Sequence, residues 1–85
     1  MSSHFKADLI MKTIYQDEYR KIIQMLTELR KNQHLTQTQI AKRLHKPQSY
    51  IAKIEVFERT LDILEFIHLC RVLGAKPSEI LIAFE

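Results

Sequence analysis

Apolar side chains recur at spacings of three and four along most of this chain, which is the period of an amphipathic α-helix. The first such segment covers residues 17–33. It has two acidic residues at its start and two basic residues near its end, as the helix dipole favours. Its apolar positions are Tyr19, Ile22, Ile23, Leu26 and Leu29. The pattern predicts one long helix.

Two short helices, separated by a brief connection, are predicted next. Thr36 and Gln39 have the T-x-x-Q spacing of a capping box, which starts a helix that runs to about Leu44. This helix is too short to be stable alone and must pack against another element. Pro47 suits the beginning of a helix, so the next helix opens at Gln48.

The helix that opens at Gln48 is predicted to have two different sides. Ile51 and Ile54 are expected to face the core. The side chains expected on the opposite, outward face are Ser49, Tyr50 and Lys53.

A fourth and a fifth helix complete the pattern. Asp62 and Glu65 form a second capping box at the start of the fourth helix, and Gly74 is expected to end it with a positive φ. Pro77 then begins the fifth helix, which covers residues 77–84. The side chains expected to be buried on the fourth helix are Leu64, Phe66, Ile67, Cys70 and Leu73.

The domain organisation follows from these elements. Residues 17–85 are expected to form one all-α domain of five helices. Residues 1–16 fit neither a helical nor a strand period, so they are an N-terminal arm, an extra helix or a dimerisation element. A chain of 85 residues supports a single core with little room for a catalytic pocket.

Basic residues are concentrated in one part of the chain. The 26 residues between Glu28 and Glu55 carry six basic and no acidic side chains, although the net charge of the whole chain is only +3. A solvated helix face more often mixes both signs, so this local excess favours a nucleic acid or another polyanion as partner.

Several classes of protein are not indicated. No apolar run is long enough to span a membrane, and the first residues lack the pattern of a secretory signal, so a cytoplasmic location is expected. Cys70 is the single cysteine and is expected in the core, and the four histidines show no metal-ligand spacing. We therefore expect no metal, no cofactor and no enzymatic activity.

Two short helices, the second with a polar outer face, are typical of a helix-turn-helix unit. The major groove of DNA admits one helix, while the preceding helix crosses the backbone and fixes the angle of the reader. The sequence thus favours binding to double-stranded DNA.

The chain also resembles the Cro and phage-repressor type of helix-turn-helix regulators, the XRE family. The similarity extends over about residues 19–81. The segments that carry it are "LTQ", "IAKRL", "PQSYIAKIE", "ERTLDILEF" and "LGAKPSEIL". The resemblance implies a five-helix, lambda-repressor-like domain.

In the family, the Gln of "LTQ" binds a phosphate, and a second Gln, eleven residues later, reads a base and often contacts the first. The resemblance assigns these roles to Gln37 and Gln48. General chemistry agrees, because a Gln amide can both accept from and donate to adenine N6 and N7, and Gln37 lies at the positive end of its helix. A solvated surface Gln is the alternative for each.

Other DNA contacts are expected around these two residues. Tyr50 is expected to contact a thymine methyl or the sugar-phosphate backbone, or alternatively to pack sideways on the loop. Lys53 is expected to reach a guanine or a phosphate. The complete predicted DNA-binding set is Gln37, Arg43, Lys46, Gln48, Ser49, Tyr50, Lys53 and Arg59, in which Lys46 and Arg59 are backbone clamps and Arg43 has simple solvation as its alternative.

The chain departs from the family pattern at two positions. His45 and Phe57 stand where the family usually has Gly, and the left-handed conformation expected at His45 has a cost for a residue with a Cβ. The family pattern therefore does not predict how the third helix ends, and an exposed Val56 or Phe57 is a candidate partner contact. Glu55 matches a family acid that pairs with an Arg, so it is not counted as a DNA contact.

The function expected from all of these features is a sequence-specific transcriptional regulator, a repressor acting as a homodimer on double-stranded DNA. The apolar tail "ILIAFE" and the N-terminal arm are the candidate dimer surfaces. The alternative is a protein-binding module, such as the antitoxin of a toxin pair.

Overall fold

Five α-helices follow one another in residues 16–85, the part of the chain that the computed structural model describes. Their bounds are α1 Asp17–Asn32, α2 Gln37–Arg43, α3 Gln48–Glu55, α4 Ile63–Val72 and α5 Pro77–Leu81, after which Ile82–Phe84 form one turn of 3-10 helix. The predicted all-α fold of five helices is confirmed. Apart from Gln16, the predicted N-terminal arm lies outside the described residues, and the boundary between the arm and the domain stays a prediction.

Both predicted capping boxes are present. The Thr36 hydroxyl accepts from the backbone N–H of Gln39 at 3.1 Å, and the Gln39 side chain accepts from the N–H of Thr36 at 2.8 Å. Asp62 and Glu65 make the same reciprocal pair at the start of α4, at 2.7 and 3.0 Å. Each box satisfies backbone donors that the first turn of a helix leaves without partners.

The first four helices all end in the same way. At each C-terminus the second residue beyond the cap donates its N–H back to the last turn, and the residue between them has a positive φ, which is the Schellman arrangement. The positive-φ residues are His34 at 58°, His45 at 57°, Phe57 at 63° and Gly74 at 75°. The expectations for His45 and Gly74 are confirmed. Only Gly74 adopts this conformation without a steric penalty, so three helix ends retain a strained residue.

One apolar core joins the five helices. The short helices contribute Ile40, Ala41, Ile51 and Ile54, all at most 2% exposed. The long helices supply Ile23 and Leu26 from α1 and Phe66, Leu69, Cys70 and Leu73 from α4 and its cap, and the core is completed by Tyr50 of α3 and Ile80 of α5. Because α2 has only seven residues and α3 only eight, their stability depends on this packing.

The buried face of α4 differs from the prediction at Leu64. Leu64 is 58% exposed, whereas Leu69 is buried. Residues spaced always by three drift around a helix by about 60° at each step, so a set built on that spacing alone cannot stay on one face. The buried residues observed on α4 run from Phe66 to Leu73 in steps of three, one and three residues, which keeps them on one face. Leu64 lies outside this buried face. The prediction that Leu64 is buried was therefore wrong.

Candidate nucleic-acid interface

The outer side of α3 carries polar and basic residues. Gln48, Ser49 and Lys53 are exposed, as the sequence predicted, while Ile51 and Ile54 anchor the helix from below. The helix thus presents its first turn and one polar side away from the body of the protein. This placement gives α3 the access that a groove-binding helix requires.

A chain of hydrogen bonds links the beginning of α3 to the beginning of α2. Nε2 of Gln48 donates to Oε1 of Gln37 at 2.7 Å. Nε2 of Gln37 donates in turn to Oε1 of Glu55 at 2.8 Å. The contact between the two glutamines that the family resemblance implied is therefore present.

Glu55 sets the direction of this chain. A carboxylate can only accept hydrogen bonds, so Gln37 must turn its NH₂ group toward Glu55 and its carbonyl oxygen toward Gln48. Gln48 must then offer one N–H to Gln37. Its own Oε1 and its second N–H remain for a ligand, and they lie side by side at the exposed end of α3.

Arg30 holds Glu55 in place. Nε and Nη2 of Arg30 donate to the two Glu55 oxygens at 2.7 and 2.9 Å, and Nη1 donates to the carbonyl of Leu35 at 2.7 Å. Both charged side chains are only about a tenth exposed, at 11% and 12%. Such a bidentate pair is geometrically specific, so it ties α1 to α3 in one arrangement. The structural pairing expected for Glu55 is confirmed.

Tyr50 does not point outward, and that prediction was wrong. Its side chain belongs to the core, with 8% of the residue exposed, and its hydroxyl donates to Oε2 of Glu65 at 2.9 Å. Tyr50 lies one turn before Ile54, so it shares the inner edge of α3 and the large ring is buried there. The alternative of sideways packing was closer to the observed position.

Glu65 is the functional candidate that the sequence did not reveal. Its Oε2 also accepts from Nη2 of Arg59 at 2.7 Å. Burial disfavours the ionised carboxylate, but hydrogen bonds from the Asp62 backbone, Tyr50 and Arg59 outweigh this and lower the pKa of Glu65. Burial and the contact with Glu65 raise the pKa of Tyr50 far above its usual value of 10.0. The pair is thus held as a neutral phenol and a carboxylate.

The comparisons with known proteins agree with this geometry. The helix-turn-helix family model HTH_3 matches residues 26–80, which include α2 through most of α5. The chain belongs to the XRE-type helix-turn-helix family. It is a DNA-binding regulator of that class.

A solved structure of the same family is similar over nearly its full length. It is described as an XRE-family like protein from Pseudomonas syringae pv. tomato str. DC3000. The two proteins share 38% sequence identity, the match covers 86% of this chain and 89% of that one, and the TM-score is 0.78. A search of curated proteins gave no match.

The basic residues that were predicted to contact the DNA backbone lie in different settings. Lys46 and Arg59 both lie close to the Tyr50 ring, with the Lys46 Nζ at 5.4 Å and the Arg59 Cζ at 4.7 Å from its centroid. Arg43 instead directs Nη1 toward the carbonyl of Val72 at 3.4 Å, at the C-terminal end of α4. The structure therefore brings Lys46 and Arg59 together but leaves Arg43 apart from them.

The two residues that replace the usual family pattern after α3 have separate environments. Val56 is 59% exposed, as a partner contact would require. Phe57 is half-buried against the core, and the Arg20 guanidinium lies 4.6 Å from its ring centroid. The Phe57 ring thus makes packing contacts that a glycine could not make, and these contacts offset the strain of its positive φ.

Other kinds of site have little support in residues 16–85. No three His, Cys, Asp or Glu side chains of this part approach as metal ligands would. None of its helices combines the length and apolar character needed to cross a bilayer. Cys70 is fully buried, as predicted, and burial raises the pKa of its thiol.

Proposed function

We propose that this XRE-family chain is a sequence-specific transcriptional repressor that binds double-stranded DNA as a homodimer and reads the major groove with α3. The observation that carries the proposal is the directed chain from Gln48 through Gln37 to Glu55. It fixes the amide of an exposed residue at the tip of a short helix. Action in the cytoplasm forms part of the same proposal.

Adenine is the base that this arrangement suits best. The oriented Gln48 amide has an acceptor and a donor left, and adenine offers an N6 donor and an N7 acceptor on its major-groove edge. Gln37 keeps its second amide N–H outside the chain of hydrogen bonds, and we expect that N–H to bind a neighbouring phosphate. We expect Ser49 and Lys53, which are exposed on the same helix, to contact adjacent bases or phosphates.

The basic side chains around α3 are proposed to hold the DNA backbone. Lys46 precedes α3 and Arg59 follows it, so the two flank the reader helix. The buried Tyr50 ring contacts both and is proposed to support these cations without itself reading a base. Arg43, which approaches the end of α4, is the weakest member of the predicted set.

An exposed aliphatic surface supports the homodimer. Ile63 and Leu64 at the start of α4 are 70% and 58% exposed, and Leu81 and Ile82 at the end of α5 are 42% and 64% exposed. Ile63 and Leu81 line the same groove, so the two pairs adjoin. Adjoining exposed aliphatic residues are typical of interaction sites. Two copies would place two reader helices on successive turns of DNA, about 34 Å apart.

Selection of bound duplexes from a random pool tests the proposal. The expected result is a two-fold symmetric site with adenine at a fixed position in each half. Affinity for that site should fall steeply as salt rises, because several phosphates are contacted. Recovery of no preferred sequence would contradict sequence-specific reading.

A protein-binding role is the second candidate, and the exposed Val56 at the end of α3 favours it. If the chain were mainly a protein-binding module, such as an antitoxin, its affinity for DNA would be weak and would change little with salt. Co-purification with a separate small protein, combined with that flat salt response, would favour this candidate over autonomous repression.

A further inference from the structure

Glu65 belongs to α4, outside the helix-turn-helix unit, yet one of its oxygens binds two residues of the proposed interface. Oε2 accepts from the Tyr50 hydroxyl at 2.9 Å and from Arg59 Nη2 at 2.7 Å. Oε1 accepts from the backbone N–H of Asp62 at 3.0 Å, which fixes the carboxylate on the capping turn of α4. Glu65 is therefore attached to the capping turn of α4 at one oxygen and to the interface at the other.

Arg59 is held on two sides by this arrangement. Its Nη2 is paired with Glu65, and its guanidinium carbon lies 4.7 Å from the centroid of the Tyr50 ring. The Arg59 side chain nevertheless remains 45% exposed. The group is thus fixed in position while part of its donor edge faces solvent.

We propose that Glu65 is a positioning residue for DNA binding, because its carboxylate holds Arg59 against the Tyr50 ring as a preformed phosphate clamp. This inference rests on the DNA-binding function proposed above. A free arginine side chain must be ordered when it binds a phosphate, and holding it in the bound geometry beforehand removes much of that cost. The clamp also stands at a fixed distance from the start of α3, since Tyr50 is two residues from Gln48.

The proposal predicts that removal of the Glu65 charge changes the affinity for DNA in the opposite direction to the one that charge repulsion alone would give. A carboxylate near DNA repels the phosphates, so its removal by charge alone should tighten binding. If Glu65 positions Arg59, removal of its charge should weaken binding. The sign of the change therefore separates the two effects.

Glu65→Gln is the test variant, and Asp62→Asn is its matched control. The glutamine keeps an oxygen for the Asp62 N–H but loses the ion pair with Arg59. Asp62→Asn removes one negative charge from the same turn, keeps an oxygen for the cap and touches neither Tyr50 nor Arg59. Circular dichroism melting of both variants sets an assay temperature at which each remains folded.

The probes are a duplex selected by the wild-type chain from a random pool and an unrelated duplex of the same length. We expect Glu65→Gln to weaken binding to both about tenfold and to reduce the slope of log K against log salt by about one, since a phosphate contact is lost. Asp62→Asn should bind as tightly as the wild type or more tightly. Equal or tighter binding by Glu65→Gln, with an unchanged slope, would overturn the proposal.

The Arg59→Ala variant tests whether Glu65 affects the affinity for DNA by positioning Arg59. In that background Glu65→Gln should change affinity little, because the group that it positions is gone. A second tenfold loss in the Arg59→Ala background would overturn the assigned route.

A measurement without DNA separates this proposal from the proposed function. Alkaline titration of tyrosine absorbance should show that Glu65→Gln lowers the pH at which Tyr50 ionises, and Tyr50→Phe, which lacks that ionisation step, identifies it in the titration. An unchanged titration would contradict the network itself. If the wild type bound neither duplex while the titration behaved as expected, the proposed function and the DNA role of Glu65 would both fail, although the network would stand.

Discussion

At the scale of single residues, the important distinction is between side chains that face a ligand and side chains that hold others in place. Gln48 and Lys53 are exposed on α3, whereas Tyr50 of the same helix is buried. Sequence spacing identified the exposed residues correctly. It misplaced Tyr50 because a position at the edge of a helix face can turn either way, and here Glu65 provides a partner for the hydroxyl.

Gln48→Ala and Lys46→Ala should have different effects on DNA binding. Gln48→Ala is expected to cost about 1 to 3 kcal/mol at the selected site and to relax the preference at one base position. Lys46→Ala should weaken binding to all duplexes about equally, because a phosphate contact carries no sequence information. Titration of both variants against selected and unrelated duplexes measures this. Equal losses on both duplexes for Gln48→Ala would refute its role as a base reader.

His45→Gly should stabilise the protein by about 0.5 to 1 kcal/mol. His45 is exposed with φ at 57°, and a residue with a Cβ is strained there by more than glycine loses in the unfolded chain. Urea unfolding measures the change. Gly74→Ala is the reciprocal control: φ is 75° and open space surrounds the added methyl group, so a loss of about 1 kcal/mol is expected from the backbone alone. Destabilisation by His45→Gly would contradict this account of the helix ends.

At the scale of helices, short elements depend on their caps and on the core beneath them. The starts of α2 and α4 were predictable because a capping box is a local feature whose two partners are three residues apart. The helix ends were harder to predict, since three of the four Schellman ends have His or Phe in place of Gly. At those three ends, the packing of both adjoining helices against the core outweighs the preference of His and Phe for a negative φ.

Thr36→Ala should destabilise the domain by about 1 kcal/mol. It removes the oxygen that accepts from the Gln39 N–H, on a helix of only seven residues. Thr38→Ala is the matched control, because Thr38 is exposed two residues later in the same turn. That control is expected to change the free energy of unfolding by less than about 0.5 kcal/mol. Equal losses in the two variants would argue against a capping role for Thr36.

Acid should weaken the contacts that Glu65 makes with α3 and the following loop. The pKa of Glu65 is lower in the folded protein than its usual 4.5, so the unfolded chain takes up the proton first as pH falls. The stabilisation is complete above about pH 4.5 and is lost as the pH falls through the lower folded-state pKa. Urea unfolding at several pH values between 7 and 3 should show a smaller decline for Glu65→Gln than for the wild type. If the free energies of unfolding of the wild type and the variant declined in parallel, Glu65 would not contribute to the loss of stability in acid.

At the scale of the whole molecule, one domain carries two surfaces, to which our proposal assigns different tasks. The polar side of α3 and its flanking cations serve DNA in our proposal, and the aliphatic residues of α4 and α5 serve a second copy. The Arg30–Glu55 pair connects α1 with the reader helix, so the core and the reading end are mechanically joined.

Ile82→Glu should weaken the homodimer. The isoleucine is 64% exposed beside Leu81, and a charge placed there would have to be desolvated in the interface. Sedimentation at micromolar concentration is expected to show a dimer for the wild type and a monomer for the variant, with weaker binding to the symmetric site. Val56→Glu is the matched control, since Val56 is 59% exposed at the end of α3 and should leave the dimer intact. A wild type that remains monomeric on its selected site would refute the dimer.

The sequence by itself determined the five helices, both capping boxes, the basic bias and the two glutamines eleven residues apart, because all of these depend on local spacing and composition. Only the tertiary structure decided that Glu55 orients both glutamine amides, that Leu64 stays outside the core and that Tyr50 and Arg59 meet on Glu65. Those contacts join residues from different helices. Their partners are chosen by how the helices pack, and a periodic pattern along one helix contains no record of the neighbour that it will meet.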